Sequence, residues 1–119
     1  MPLEKKSLDK PDGTREFPNG QMVVVELPDV TVGRAVMRPG WKWSSDVKPI
    51  VETDSCQQAH TMYVMQGRLH IAMDDGTESE VGAGEAVVVS PGHDAWVVGD
   101  EDFIALDWSG AATYAKPAQ

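Results

Sequence analysis

Residues 84–99 read GEAVVVSPGHDAWVVG, and the order of glycine, valine, proline and histidine in them decides how the whole chain is read. A valine run closes on Ser90-Pro91-Gly92, and a second apolar run opens at His93. Short β-branched runs broken by Pro-Gly favour strands joined by tight turns over helix. Side chains of an extended segment alternate with period two, so His93 and Ala95 share one face. His93 is therefore a candidate inward ligand, although its place after Pro-Gly equally fits an exposed turn residue.

The same texture extends in both directions. Apolar runs occur at QMVVVEL (21–27), TVGRAVMR (31–38), HTMYVMQ (60–66), RLHIAMD (68–74), EAVVVS (85–90) and DFIALDW (102–108). Turn residues bound them, and no window carries a long 3.6-residue apolar period. Asp75-Gly76 suits a tight hairpin turn. In 68–74, Leu69, Ile71 and Met73 alternate with His70, which falls on the opposite face. The pattern predicts an all-β sandwich or barrel. Residues 1–20 are polar and rich in Lys, Asp, Pro and Gly, and are expected to form a flexible N-terminal arm. The barrel is expected over 21–110, with a C-terminal tail at 111–119. The segment 41–59 has no clear period, and a connection that long is usually functional or mobile.

Composition limits the function classes. A chain of 119 residues with 41% hydrophobic content supports one domain with a real core. The net charge of −9 repels phosphate backbones and anionic lipid, so neither nucleic acid nor a membrane is an expected partner. Cys56 is the only cysteine, which excludes an internal disulfide and fits a reducing compartment. The first twenty residues lack a signal-peptide core, and no run approaches the ~20 apolar residues of a membrane helix. The expected location is the cytoplasm.

Two blocks of this sequence resemble the two motifs of the cupin superfamily, in the form of a small single-domain cupin. The first cupin motif runs Gly, five residues, His-x-His, a short gap, Glu, six residues and Gly. Here Gly40 is followed by Trp41 to Ser45 and then Asp46-Val47-Lys48, and His60 is followed by Thr61 to Gln66 and then Gly67. The second motif runs Gly, five residues, Pro-x-Gly, two residues, His, three residues and Asn. Here Gly84 leads to Ser90-Pro91-Gly92, then His93-Asp94, Ala95, Trp96 to Val98 and Gly99. The resemblance covers roughly residues 33 to 108. It implies an antiparallel jelly-roll β-barrel with few or no helices. It also implies that such barrels pair, and a homodimer is expected.

The family's metal ligands are two His and a Glu from the first motif and one His from the second. Carried over by position, those places hold Asp46, Lys48, His60 and Ala95. A protonated Lys48 does not ligate and Ala95 has no ligand atom, so the four-ligand set is absent. Function then has to be argued from whatever site remains. The candidate metal set is His60, His93, Cys56 and Asp46, which suits one divalent Zn, Fe, Ni or Cu ion. The candidate walls of a small-molecule pocket are Trp43, Lys48, Met62 and Trp96. Each has a plain reading as well: His60 as an interior hydrogen-bonding residue, Cys56 as a small hydrophobe, the tryptophans as packing. A Cys56–His60 nucleophile pair lacks a visible third orienting group. Three functions stay open: a metal-dependent enzyme acting on a small molecule, a metal-free ligand-binding barrel, and an interaction module without pocket chemistry.

Overall fold

The computed structural model describes residues 3–108. Nine strands form two antiparallel sheets: β1 (Gly13–Phe17), β2 (Gly20–Glu26), β3 (Thr31–Met37), β4 (His60–Gln66), β5 (Arg68–Met73), β6 (Glu78–Gly82), β7 (Ala86–Val89), β8 (His93–Val98) and β9 (Phe103–Asp107). The larger sheet runs β1-β2-β3-β9-β4-β7 and the smaller β6-β5-β8. Two four-residue helices, α1 (Trp43–Asp46) and α2 (Lys48–Val51), lie in the long connection before β4.

Alternation of side chains builds the core. In β8, His93, Ala95 and Val97 are buried while Asp94, Trp96 and Val98 are half-buried. In β9, Phe103, Ala105 and Asp107 point inward in the same way. In β4 the inward set is His60, Met62 and Val64, with Thr61, Tyr63 and Met65 exposed. The inner faces of the two sheets meet in one apolar cluster that includes Met22, Met37, Trp41, Trp43, Leu69, Ile71 and Phe103. Burying one such Leu, Ile or Phe side chain stabilises the fold by roughly 1.5–3 kcal/mol, so this cluster dominates the balance.

The connection between β4 and β5 shows why a glycine is needed. Gly67 has φ +79°, and a Cβ there would stand 2.5 Å from the Asp102 carbonyl oxygen. Any side chain at Gly67 would push the end of β4 away from the β8–β9 turn.

Sequence expectation and structure differ at the N-terminal segment. Residues 13–17, assigned to the arm, form β1 and pair with β2 from Gly13↔Val24 to Phe17↔Gly20. Asn19 takes the left-handed conformation, φ 62°, that the tight turn requires. Phe17 is buried and joins the core. The expected tail at 111–119 lies outside the described residues.

Candidate metal centre

Four elements converge at one end of the core. His60 opens β4 and pairs with Val89 of β7. Asp107 closes β9 opposite Met62 of β4, so His60 and Asp107 are neighbours on the inner face. His93 opens β8 after the Gly92 turn, where φ is +93°. Cys56 lies in the connection before β4 but is pinned to β8. Its N–H donates to the His93 carbonyl at 2.7 Å, and its own carbonyl accepts from Gly92 N–H at 2.7 Å.

Cys56, His60 and His93 are all buried, and each offers one ligand atom within 4.8 Å of the others. Cys56 Sγ stands 3.8 Å from His60 Nε2. The two imidazole rings meet edge to face, with centroids 5.4 Å apart. Ligand atoms on one Zn(II) stand roughly 3–4 Å apart, given bonds of about 2.0–2.3 Å. The three groups are thus close to a spacing that one ion can share.

The outer nitrogens of both imidazoles are fixed. His60 Nδ1 donates to Asp107 Oδ2 at 2.6 Å. His93 Nδ1 stands 2.8 Å from the Ser90 carbonyl, which only accepts, so this nitrogen carries the proton. Both neutral rings therefore keep Nε2 as the unprotonated nitrogen, the state a metal needs. Asp107 and Ser90 supply the carboxylate and carbonyl partners that orient metal-bound histidines elsewhere.

Without a metal the same groups form an ion pair. Burial is the largest influence on His60 and disfavours its charged form, yet hydrogen bonds to Asp107 and Cys56, with their negative charge, raise its pKa to about 9. Burial likewise opposes ionisation of Cys56, but hydrogen bonds from His60 and His93 lower its pKa to about 6. The thiolate form that binds metals is thus available at neutral pH.

The cluster faces a cavity of about 40 Å³ whose walls include Trp41, Trp43, Met62, Ala95 and Asp107. This is small beside the roughly 300–1,000 Å³ of pockets that enclose drug-sized ligands. It admits an ion with one or two small ligands, or the head of a larger molecule. Among the described residues, Trp41 Nε1 is a buried donor without a partner.

The structure brings together three of the four candidate ligands. Asp46 is engaged elsewhere: its Oδ2 accepts from Lys42 N–H at 3.0 Å and holds the start of α1. Of the candidate pocket residues, Trp43 and Met62 line the cavity and Lys48 and Trp96 do not. Lys48 opens α2. Trp96 faces outward from β8, stacked on His70 at 4.6 Å with Lys42 Nζ 5.0 Å from its ring. Asp107 was missed, and it is the third orienting group that the Cys56–His60 pair lacked on sequence grounds. Its signal was available, because period two places Phe103, Ala105 and Asp107 on one face.

No family model matches the chain, and no curated protein matches it. Solved structures do. The chain is similar to the oxalate decarboxylase of Lactobacillus farciminis, solved as a formate complex, at 17% identity and TM-score 0.61, covering 86% of this chain and 32% of that one. It is also similar to an RmlC-like cupin from Shewanella frigidimarina, at 17% identity and TM-score 0.53, with 76% of each chain covered. The fold is that of the cupins. A third cupin-like neighbour is an uncharacterised double-stranded β-helix protein from Klebsiella pneumoniae, at 20% identity and TM-score 0.59, covering 95% of this chain and 94% of that one. The chain spans only about a third of the decarboxylase, and at these identities the likeness carries the cupin fold alone. Among the described residues, no helix is long and apolar enough to cross a membrane.

Proposed function

We propose that this cupin barrel binds one divalent transition metal through Cys56 Sγ and the Nε2 atoms of His60 and His93, and acts on a small molecule in the adjoining cavity. The observation that carries this is the convergence of three buried ligand groups with both imidazoles oriented from behind: Asp107 and the Ser90 carbonyl each hold a proton on Nδ1, so Nε2 is the nitrogen that each neutral ring turns to a metal beside the Cys56 thiol. One thiolate and two imidazoles suit Zn, Fe or Cu, and three protein ligands leave room for a substrate atom. A bound metal would supply Lewis-acid polarisation of an oxygen. The chain's own residues do the rest. Asp107 and Ser90 orient the rings, and the apolar walls exclude water.

A second reading is favoured by two distances. Cys56, His60 and Asp107 stand in the order nucleophile, base and orienter, with Sγ 3.8 Å from Nε2 and Nδ1 2.6 Å from the carboxylate. In that reading the barrel works without metal, and His93 only helps to hold the Cys56 thiolate.

Elemental analysis of tag-free protein prepared without chelator separates the two. The metal reading expects about one equivalent of bound ion, lost in both His60→Ala and His93→Ala. A parent that takes up none of Zn(II), Fe(II), Ni(II) or Cu, or a His93→Ala variant that binds as the parent does, overturns it. Each variant has to keep the parent's melting behaviour without metal.

We also propose that a second copy covers the outer face of the larger sheet. Val88, on edge strand β7, is 75% exposed, and Met65, on neighbouring β4, is 52% exposed. Exposed apolar side chains on a sheet face favour cover by another surface. A monomer mass by light scattering at micromolar concentration overturns this.

A further inference from the structure

Two of the three candidate ligands stand on strands, where a full ladder fixes their register. His60 opens β4 and His93 opens β8. Cys56 has no such support. It lies in the long connection, and a single isolated bridge, Cys56↔His93, ties it to β8. A segment slipped by one residue turns every side chain to the opposite side. Here a slip would bring Ser55 or Gln57 to the centre in place of the thiol. Something beyond the bridge has to set the register.

The residue before Cys56 does this. Consecutive side chains of an extended segment point to opposite sides, so Cys56 faces the centre and Ser55 faces away from it. Ser55 is buried, and its hydroxyl donates to Asp74 Oδ2 at 2.7 Å. The same hydroxyl accepts from Gln57 Nε2 at 3.0 Å, and the Ser55 carbonyl accepts from Thr53 Oγ1 at 2.8 Å. Asp74, just past β5, is itself tied to the turn before β8, because its N–H donates to the Gly92 carbonyl at 2.9 Å. Gly92 N–H in turn donates to the Cys56 carbonyl. The carboxylate comes so near that a Cβ at Gly92 would stand 3.0 Å from Asp74 Oδ2. A hydrogen bond to a charged acceptor is stronger than a neutral one. We propose that Asp74 is a positioning residue: through Ser55 it fixes the register of the Cys56 segment and so holds Sγ beside His60 and His93. This deepens the metal reading given above and rests on it.

The test uses tag-free protein and Co(II), whose bonds to thiolate give a near-ultraviolet charge-transfer band that imidazole alone does not. The parent is expected to take up Co(II) and show the band. Asp74→Ala is expected to lose most of the band and bind Co(II) about tenfold more weakly, while His60 and His93 still hold the ion. Asp74→Asn keeps an acceptor for Ser55 and is expected to restore the band. In the Cys56→Ala background, Asp74→Ala should cost no further affinity, because it acts only through the thiol. Where Cys56→Ala binds too weakly to measure, the band in Asp74→Ala and Asp74→Asn decides alone. If Asp74→Ala does not keep the parent's metal-free melting behaviour, Ser55→Ala takes its place with the same expectations. A parent without Co(II) uptake, or without the band, overturns the metal reading and this proposal together. A parent-like band in Asp74→Ala, a band still missing in Asp74→Asn, or an equal loss of affinity with and without Cys56 overturns this proposal and leaves the metal reading standing.

Discussion

Two histidine–carboxylate pairs sit on opposite faces of this barrel at the same distance. His60 Nδ1 meets Asp107 at 2.6 Å with side-chain exposures of 7% and 1%. His70 Nε2 meets Glu78 at 2.6 Å with exposures of 25% and 55%. Residue chemistry and geometry are nearly alike, and the surroundings are not. Inside, low dielectric strengthens the contact, and an unpaired partner would be costly. Outside, water screens both charges and supplies alternative hydrogen bonds. Only the inner pair has a second imidazole and a thiol beside it. Burial, rather than the pair itself, separates a candidate centre from a surface contact.

The largest expected effect comes from breaking the inner pair without emptying its space. Asp107→Asn keeps the shape but removes the charge, and its amide can present N–H to Nδ1 and favour the wrong tautomer. Metal affinity is expected to fall about 10- to 100-fold, the usual cost of losing such a partner. Competition with a chromophoric chelator measures it. Parent-like affinity in this variant would mean that Asp107 does not orient His60 for a metal.

The next effect is pH-dependent. His60, raised from 6.5 to about 9, contributes stability that is full below 6.5 and lost as pH rises through 9. Cys56, lowered from 9.0 to about 6, contributes stability that is full above 9.0 and lost as pH falls through 6. The two slopes oppose each other across the shared window, so metal-free melting is expected to stay level from about pH 6.5 to 9 as far as these groups decide it. Cys56→Ser removes one slope, and melting should then decline with rising pH. In the parent, thiolate ultraviolet absorbance should titrate near pH 6. A midpoint near 9 would mean that the inner groups do not form the ion pair. Metal binding has to displace the His60 proton, so affinity should fall about tenfold per unit from pH 9 towards 6, and faster below 6.

Much of this arrangement was legible in period-two alternation and turn residues. The runs from 21 to 108 became strands because β-branched and apolar residues alternate between Gly, Pro and Asp punctuation. The strand β1 was hidden because GTREF offers a single large apolar residue, Phe17, inside a charged stretch. The Asn19-Gly20 turn behind it was the available sign of a hairpin. At the site, Cys56, His60 and His93 are 37 residues apart along the chain at most, and pairing of the Cys56 segment with β8 joins them. Asp46 and Lys48 came from counting forward from Gly40, across a connection that α1 and α2 lengthen. Counting back from His60 over a short gap of three residues instead puts Asp54-Ser55-Cys56 at the place of the motif's His-x-His. Cys56 then stands at a ligand position of the motif, and the structure places it beside His60 and His93. Trp96 failed as a pocket wall for a simple reason: it follows the inward Ala95 and so faces out.

The smallest expected effect is the control that sharpens the comparison. Glu78→Gln removes the outer carboxylate charge but keeps an acceptor for His70. The imidazole also keeps its stack on Trp96 at 4.6 Å, which does not depend on Glu78. Exposed ion pairs contribute about 0.2–1 kcal/mol, so the melting temperature should move by no more than a few degrees. Metal stoichiometry and affinity should match the parent, because His70 lies on the far face of β5 from the cavity. Added salt should erase most of the small difference between Glu78→Gln and the parent, since screening acts on exposed charges first. The inner pair should respond to the same salt far less. A Glu78→Gln variant that loses metal would break the division between the two faces and move the centre to the outside of the smaller sheet.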